Sequence, residues 1–331
     1  MPFSPMKLNI PIKSEDIEFI GSISMVESDI SSTPILQNKT QYIKVFSEYP
    51  GVGDYFEAAQ KWIDETFYGH IVEKLVANIG DGTDDKTLQV LGVGSGSGEI
   101  ELMFLNKLLI KFPKIHTCVV EPCANSLTKY QAKIKEHAPD ITFDWQNHKF
   151  EDFLENQQEN HFISACNSLY RVNNLNEALQ SLHDMLAPGG ILLVTITAEY
   201  AGFGKLWRTF PYLRPETSSQ TVSQDGSPGT TSPPKHHRNS AHVHEALRQL
   251  QLPYYIDEYV CPYKITHCFD EEESEERNQA IDFVTHPIKL RERSKDLFQE
   301  VLACIKECSV QRGDDWFFQA KHVCFFITRP T

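Results

Sequence analysis

Eleven consecutive residues, Val90-Leu91-Gly92-Val93-Gly94-Ser95-Gly96-Ser97-Gly98-Glu99-Ile100, combine an apolar run, four alternating glycines and the start of an amphipathic stretch. Glycines at such a place let the backbone approach a ligand closely, and the free N–H groups at the next helix start offer polar contacts, so the segment predicts a nucleotide-type site. A dinucleotide fingerprint G-x-G-x-x-G would need glycine at position 97 or 99, where Ser97 and Glu99 stand. Glu121 closes the next apolar run, about where a ribose-binding acid belongs, and its carboxylate can accept from both ribose hydroxyls. Leu186-Ala187-Pro188-Gly189-Gly190-Ile191 reads as a helix end, a sharp turn and a buried strand, because proline stops a helix and glycine allows the turn.

The elements that must hold these residues alternate regularly. Apolar strand-like runs at 88–93, 117–121, 141–145, 162–166 and 191–197 are separated by helical stretches at 99–112, 124–137, 150–156 and 175–186. Strands alternating with helices require right-handed crossovers and a mostly parallel sheet covered on both faces. Later come a helix near 243–250, a strand at 254–265, a helix at 294–308 and a closing strand at 322–328. The expected fold is α/β: a doubly wound, mostly parallel, seven-stranded sheet with a small helical or irregular substrate-binding region. Upstream, Asp54 to Ala77 places Phe56, Ala59, Trp62, Ile63, Phe67, Ile71 and Leu75 three and four apart, which predicts an amphipathic helix or two in series. The divisions expected are an extension over 1–40, a cofactor-binding domain over 41–200, a substrate-binding region over 201–270, and a helix and strand completing the sheet over 271–331. Residues 217–240 are rich in Ser, Thr, Pro, Gly and His and read as a mobile insertion.

Composition narrows the partners. The 331 residues are 40% hydrophobic and 23% charged, enough for one large core, and no apolar run is long enough to cross a bilayer. A cytoplasmic location is the expectation, with no membrane partner. The net charge of -14 argues against nucleic acid, whose affinity comes mainly from Lys and Arg neutralising phosphates. Eight scattered cysteines without a C-x-x-C pair read as reduced thiols, and His236, His237, His242 and His244 lack partners at ligand spacing, so no metal is expected. Nothing in the helices calls for an obligate interface, and a monomer is expected.

The spacing Gly94-x-Gly96-x-Gly98 resembles the first motif of class I methyltransferases, and Leu186 to Leu192 resembles the turn before the fifth strand of their sheet. Longer stretches narrow the likeness: Gly92 to Leu102, Val119-Val120-Glu121-Pro122, Thr128 to Tyr130, Phe143 to Trp145, Phe162-Ile163 with Leu169-Tyr170, and Lys205-Leu206-Trp207 are similar to the histamine N-methyltransferase family, over roughly 42–328. The resemblance implies S-adenosyl-L-methionine as cofactor, contacted by the loop of Gly92, Gly94, Gly96 and Gly98, by Glu121, and by Ser126, Phe150 and Cys166. The last three match by position only. For the substrate it implies aromatic walls at Tyr170 and Trp207, with Phe203 where the family has tryptophan and Arg171 where it has tyrosine. Tyr55 falls at the family's amine-holding glutamate, with Asp54 and Glu57 the nearest acids; Asn167 stands for a pocket glutamine and Lys321 near a pocket asparagine, with Gln319 the nearest amide.

These readings together predict a small-molecule N-methyltransferase that acts on a small amine, histamine first, at an imidazole nitrogen. Such a transfer is an in-line displacement that needs alignment more than a base, since a neutral imidazole carries a lone pair. No residue is assigned beyond substrate positioning. Arg171 and Lys321 motivate an alternative acceptor such as an amino acid or other carboxylate, with Arg171 expected at the rim if the acceptor is histamine. The exchange at Tyr55 motivates a second alternative, an inactive methyltransferase-like binding protein.

Overall fold

The computed structural model describes residues 53–82, 86–137, 141–153, 158–210, 238–285, 290 and 294–331. The extension over 1–40 and nearly all of the expected insertion, 217–237, lie outside these residues.

Five strands carry the apolar runs, β1 (Leu88–Val93), β2 (Ile115–Val120), β3 (Ile141–Gln146), β4 (Asn160–Cys166) and β5 (Leu186–Thr197), and three follow later, β6 (Tyr254–Lys264), β7 (Ser309–Arg312) and β8 (Asp315–Thr328). They form one sheet in the order β3-β2-β1-β4-β5-β8-β6, with the short β7 also pairing with β8. The β2–β3, β1–β2, β1–β4 and β4–β5 pairs are parallel; β5–β8, β6–β8 and β7–β8 are antiparallel. The helices are α1 (Gly53–Trp62), continued by a π-helical stretch (Ile63–Val72) into α2 (Glu73–Ile79), then α3 (Glu99–Leu108), α4 (Ala124–His137), α5 (Phe150–Phe153), α6 (Leu175–Asp184), α7 (Gly202–Thr209), α8 (Ser240–Gln249), α9 (Glu275–Thr285) and α10 (Lys295–Glu307). The doubly wound α/β fold is thus present.

Each face of the sheet has its own core. One holds Phe56, Ile63, Phe67, Phe104, Phe162 and Phe326, and the other Leu91, Phe150, Ile163, Leu179, Leu247 and Phe325. The alternation along β8 shows how a strand serves both: Ala320, Cys324 and Phe326 join the first core, while Val323, Phe325 and Ile327 join the second.

Two expectations change. The sheet has eight strands, because β8 begins at Asp315 rather than His322 and β7 folds back on it through Gly313 (φ 62°) and Asp314. Glycine before aspartate is a hairpin signal of the left-handed kind that the apolar pattern alone does not show. The Pro188-Gly189-Gly190 segment is not a free turn, since α6 ends at Asp184 and β5 already runs from Leu186. Ala187 to Gly190 bulge out of the β4–β5 ladder between the Asn160–Leu186 and Phe162–Ile191 pairs, and Gly189 N–H donates to the Arg329 carbonyl (3.0 Å).

Candidate active site

The glycine loop leaves β1 and enters α3. Gly94 N–H donates to the Val120 carbonyl (2.8 Å), which docks the loop on β2, and Gly96 N–H donates to Glu121 Oε2 (2.9 Å). Gly98 sits just before α3 with φ 85°, and a Cβ there would overlap the Tyr130 ring on α4. Both the left-handed backbone and the close approach require glycine. Gly92 answers a different constraint, because any Cβ would collide with the Glu101 carboxylate. Glu101 is buried, accepts from Thr117 Oγ1 (3.2 Å) with one oxygen, and leaves Oε2 without a partner. Burial pushes its carboxyl up to about 7.

Glu121 is 1% exposed at the end of β2. Its Oε2 is taken by Gly96 and its Oε1 by Cys123 N–H (2.8 Å), while Asn147 Nδ2 donates to its carbonyl (3.0 Å). Burial raises its carboxyl; the two backbone N–H groups and the Arg171 charge act against that rise. Each carboxylate oxygen keeps a free lone pair for a further donor. Ser126, in the first turn of α4, and Phe150, at the start of α5, are buried, Phe150 within the second core. Cys166 ends β4, and enclosure pushes its thiol up to about 12.

Past β4 the chain turns sharply. Asn167 takes φ 48°, donates its N–H to the Thr195 carbonyl (2.8 Å), and sends its side-chain Nδ2 to the Tyr55 hydroxyl (2.9 Å). The next residue, Ser168, lies so close to Gly94 that a Cβ on that glycine would strike its side chain; Ser168 Oγ is itself buried without a partner. A short helical turn, Leu169–Arg171, follows. The Arg171 guanidinium is 5.3 Å from the Tyr170 ring, and its Nε is buried without a partner. Arg171 is half-buried, and its charge acts on Glu121. Next to it, Arg238 donates to the Val172 and Asn173 carbonyls, the latter at 3.0 Å.

The structure joins some of the expected substrate residues and separates others. Tyr55 is buried against Phe56 and His322 (ring centroids 5.3 and 5.5 Å). Glu57 is exposed, since two residues along a helix turn it away from Tyr55; Asp54 lies in α1, with its side chain outside the described positions. Phe203 stacks on Trp207 (5.5 Å) but also packs on Tyr263, Phe283 and Phe318, and is a core residue. Trp207 packs against the first core and Tyr170 against the second. Lys321 ion-pairs with Glu258 (3.0 Å) and lies 5.1 Å from the Tyr200 ring. Gln319 bonds back to the Phe317 carbonyl (2.9 Å).

Two residues at this place were not expected. His322 is buried beside Tyr55 and stacks on Tyr259 (5.1 Å, 15°). A lone histidine in an apolar strand carries no sequence signal, and only the pairing of His322 with Tyr259 and with Thr197 assigns its place. Among the described residues no cluster of His, Cys, Asp and Glu could hold a metal ion, and no helix is long and apolar enough to cross a membrane.

A glycine loop and an acidic strand end at the carboxyl edge of this sheet define a class I S-adenosylmethionine-dependent methyltransferase. The chain belongs to the methyltransferase domain family, whose profile matches residues 60–226. It is similar to a protein of Danio rerio named histamine N-methyltransferase, 28% identical over 292 residues that cover 83% of this chain and 91% of that one. It is also similar to carnosine N-methyltransferase 2 of Gallus gallus, 26% identical over 286 residues covering 78% and 81%. Among solved structures, a sarcosine dimethylglycine methyltransferase from Galdieria sulphuraria, so titled provisionally, aligns over 89% of this chain and 98% of its own at 9% identity and TM-score 0.48.

Proposed function

We propose that the protein methylates a ring nitrogen of a small imidazole-bearing molecule, with histamine the first candidate. The observation that supports this most is the turn at Asn167. Asn167 bonds Tyr55, and its neighbour Ser168 rests on the glycine loop, so the aromatic cluster around Tyr55 is tied to the segment beside the cofactor loop. The residues present fit the cofactor. Glu121 keeps lone pairs for ribose hydroxyls, the Gly92 to Gly98 loop gives close backbone approach, and Ser168 Oγ and Arg171 Nε are buried polar atoms without partners of their own. Ser126, Phe150 and Cys166 complete the assignment by position, the last two offering apolar surface to a flat base. When bound, the sulfonium supplies an electrophilic methyl group to a nitrogen lone pair. The chain's own residues then orient the acceptor and exclude water, which is where such a transfer gains most of its rate.

A second reading is that the acceptor also carries a carboxylate, and Arg171 favours it. Its Nε is buried without a partner, and a guanidinium facing the acceptor would repel an ammonium and bind a carboxylate in bidentate fashion. The names of the two relatives describe one imidazole without a carboxylate and one with it. Turnover of histamine and of carnosine by wild type and by Arg171→Tyr separates the readings. If Arg171 holds an acceptor carboxylate, the variant loses about tenfold or more in kcat/KM for carnosine and keeps or gains activity on histamine. Wild type that methylates neither compound, while still binding S-adenosylmethionine, overturns the imidazole reading.

A further inference from the structure

Three buried polar atoms face one another beneath the glycine loop without a well-formed hydrogen bond: Ser95 Oγ in the loop, Glu101 Oε2 in the first turn of α3, and the Tyr130 hydroxyl on α4. Glu121 accounts for how Gly96 is held, but not for an acid under the loop. Glu101 is 4% exposed, and its carboxyl packs so closely on the β1 backbone that a Cβ on Gly92 would strike both of its oxygens. A buried polar atom left unpaired costs about 1–3 kcal/mol, so a hydrocarbon would sit there more favourably.

The side chains that face this carboxyl are neutral. Burial opposes its charge, and only the hydroxyls of Ser95, Thr117 and Tyr130 act the other way. Burial also keeps the Tyr130 phenol in its protonated form. The charged groups on the elements packed around it are bonded to other partners: Glu99 to Lys133 across α3 and α4, Lys107 to Asp64, Asp144 on β3 to Gln146, and Glu121 to two backbone N–H groups. Cys118 on β2 and Cys166 on β4 feel the Glu101 charge, and both thiols are pushed up to about 12, by burial first.

We propose that Glu101 is a positioning residue for the cofactor: as a neutral carboxyl it closes the gap between Ser95 of the loop and Tyr130 of α4, and so holds the loop in its cofactor-binding path. A neutral carboxyl accepts at one oxygen and donates from the other, so it keeps its bond from Thr117 while its own O–H reaches a hydroxyl oxygen; the ionised form has no donor. A cofactor seated on the loop excludes water from above these groups, which favours the neutral form further. Binding therefore takes up a proton near neutral pH. Glu101 acts through Ser95, whose flanking glycines are tied to Val120 and Glu121. This rests on the glycine loop as the cofactor site and is independent of the acceptor.

The test measures S-adenosylhomocysteine affinity of the full chain by calorimetry at about pH 6, 7 and 8.5, in buffers of different ionisation enthalpy so that protons taken up are counted. The carboxyl of the free chain ionises through about 7, so wild-type affinity should fall about tenfold or more from pH 6 to 8.5, with proton uptake near pH 7. Glu101→Gln keeps a donor and an acceptor and cannot ionise; it should match wild type at pH 6 and bind about tenfold more tightly than wild type at pH 8.5. Glu101→Met keeps the length without the polar atoms, and should bind about tenfold more weakly than Glu101→Gln at both. The ligand's own amine and Glu121 are common to all three proteins, so the differences between them report Glu101. Wild-type and Glu101→Gln affinities that run parallel with pH overturn the proposal, as does a Glu101→Met chain that binds as well as Glu101→Gln. Affinity that rises with pH in wild type relative to Glu101→Gln overturns it too, since the ionised carboxylate is then the useful form. Should the variants fail to fold, wild type decides alone: binding without proton uptake near pH 7 overturns the proposal. Wild type that binds no S-adenosylhomocysteine overturns this and the cofactor assignment together.

Discussion

The two ends of the sheet are built differently. At one end, β1 to β4 are parallel, and the residues proposed to hold the cofactor lie at strand ends next to the helix that follows: Gly94 and Gly96 after β1, Glu121 after β2, Cys166 at the end of β4. At the other end, β8 runs antiparallel to both β5 and β6, and a packed cluster draws Tyr55, Asn167, Tyr259 and His322 from four distant segments. The first side is held by backbone hydrogen bonds to a carboxylate and by glycines in close contact. The second is held by aromatic stacking and one side-chain bond. A site made of strand-end loops tolerates few changes, because each residue there is fixed by its own backbone. A site made by packing can change its acceptor by exchanging side chains.

The largest expected effect tests the rigidity of the cofactor side. Gly98→Ala must place a Cβ in the Tyr130 ring from a left-handed backbone, and should cost about 3 kcal/mol or more of stability in denaturant unfolding. A loss below about 1 kcal/mol would show that α3 and α4 can separate freely.

Glu101 gives the next effect, through pH. Its carboxyl is raised to about 7 in the folded chain against about 4.3 unfolded, so the folded state holds the extra proton and stability falls as pH rises from about 4.5 through 7. Glu101→Gln should remove this slope, gaining on the order of 2–3 kcal/mol relative to wild type between pH 4.5 and 8. Parallel stability curves for the two proteins would place the Glu101 charge in water.

Glu121→Ala should weaken S-adenosylmethionine binding by about 1.5–3 kcal/mol by calorimetry, through lost charge-assisted bonds and the release of the Gly96 and Cys123 N–H groups. Unchanged affinity would remove Glu121 from the cofactor site. At the small end, Lys321→Ala breaks only a partly exposed pair with Glu258, and should change stability by less than about 1 kcal/mol and leave KM for the acceptor unchanged. A large rise in KM would return Lys321 to the pocket.

The neighbours Lys321 and His322 show where reading the chain alone stops. The resemblance put a pocket asparagine near Lys321, yet a strand sends successive side chains to opposite faces, so a shift of one residue exchanges core face for the other side. Lys321 goes to Glu258, and His322 goes to Tyr55 and Tyr259. Tyr55 and Glu57 repeat the lesson on a helix: two residues apart, one is buried and the other faces water.

The sequence by itself determined the parallel half of the sheet, the glycine loop and Glu121, because those depend on local order: a strand, a turn that only glycine allows, a helix, and an acid at a fixed distance along the chain. It also determined the class of cofactor. Only the tertiary structure decided the packing of Tyr55 against His322 and Tyr259 and its bond to Asn167. Strand register and face, together with the packing of segments more than a hundred residues apart, set those contacts, and no spacing along the chain encodes them.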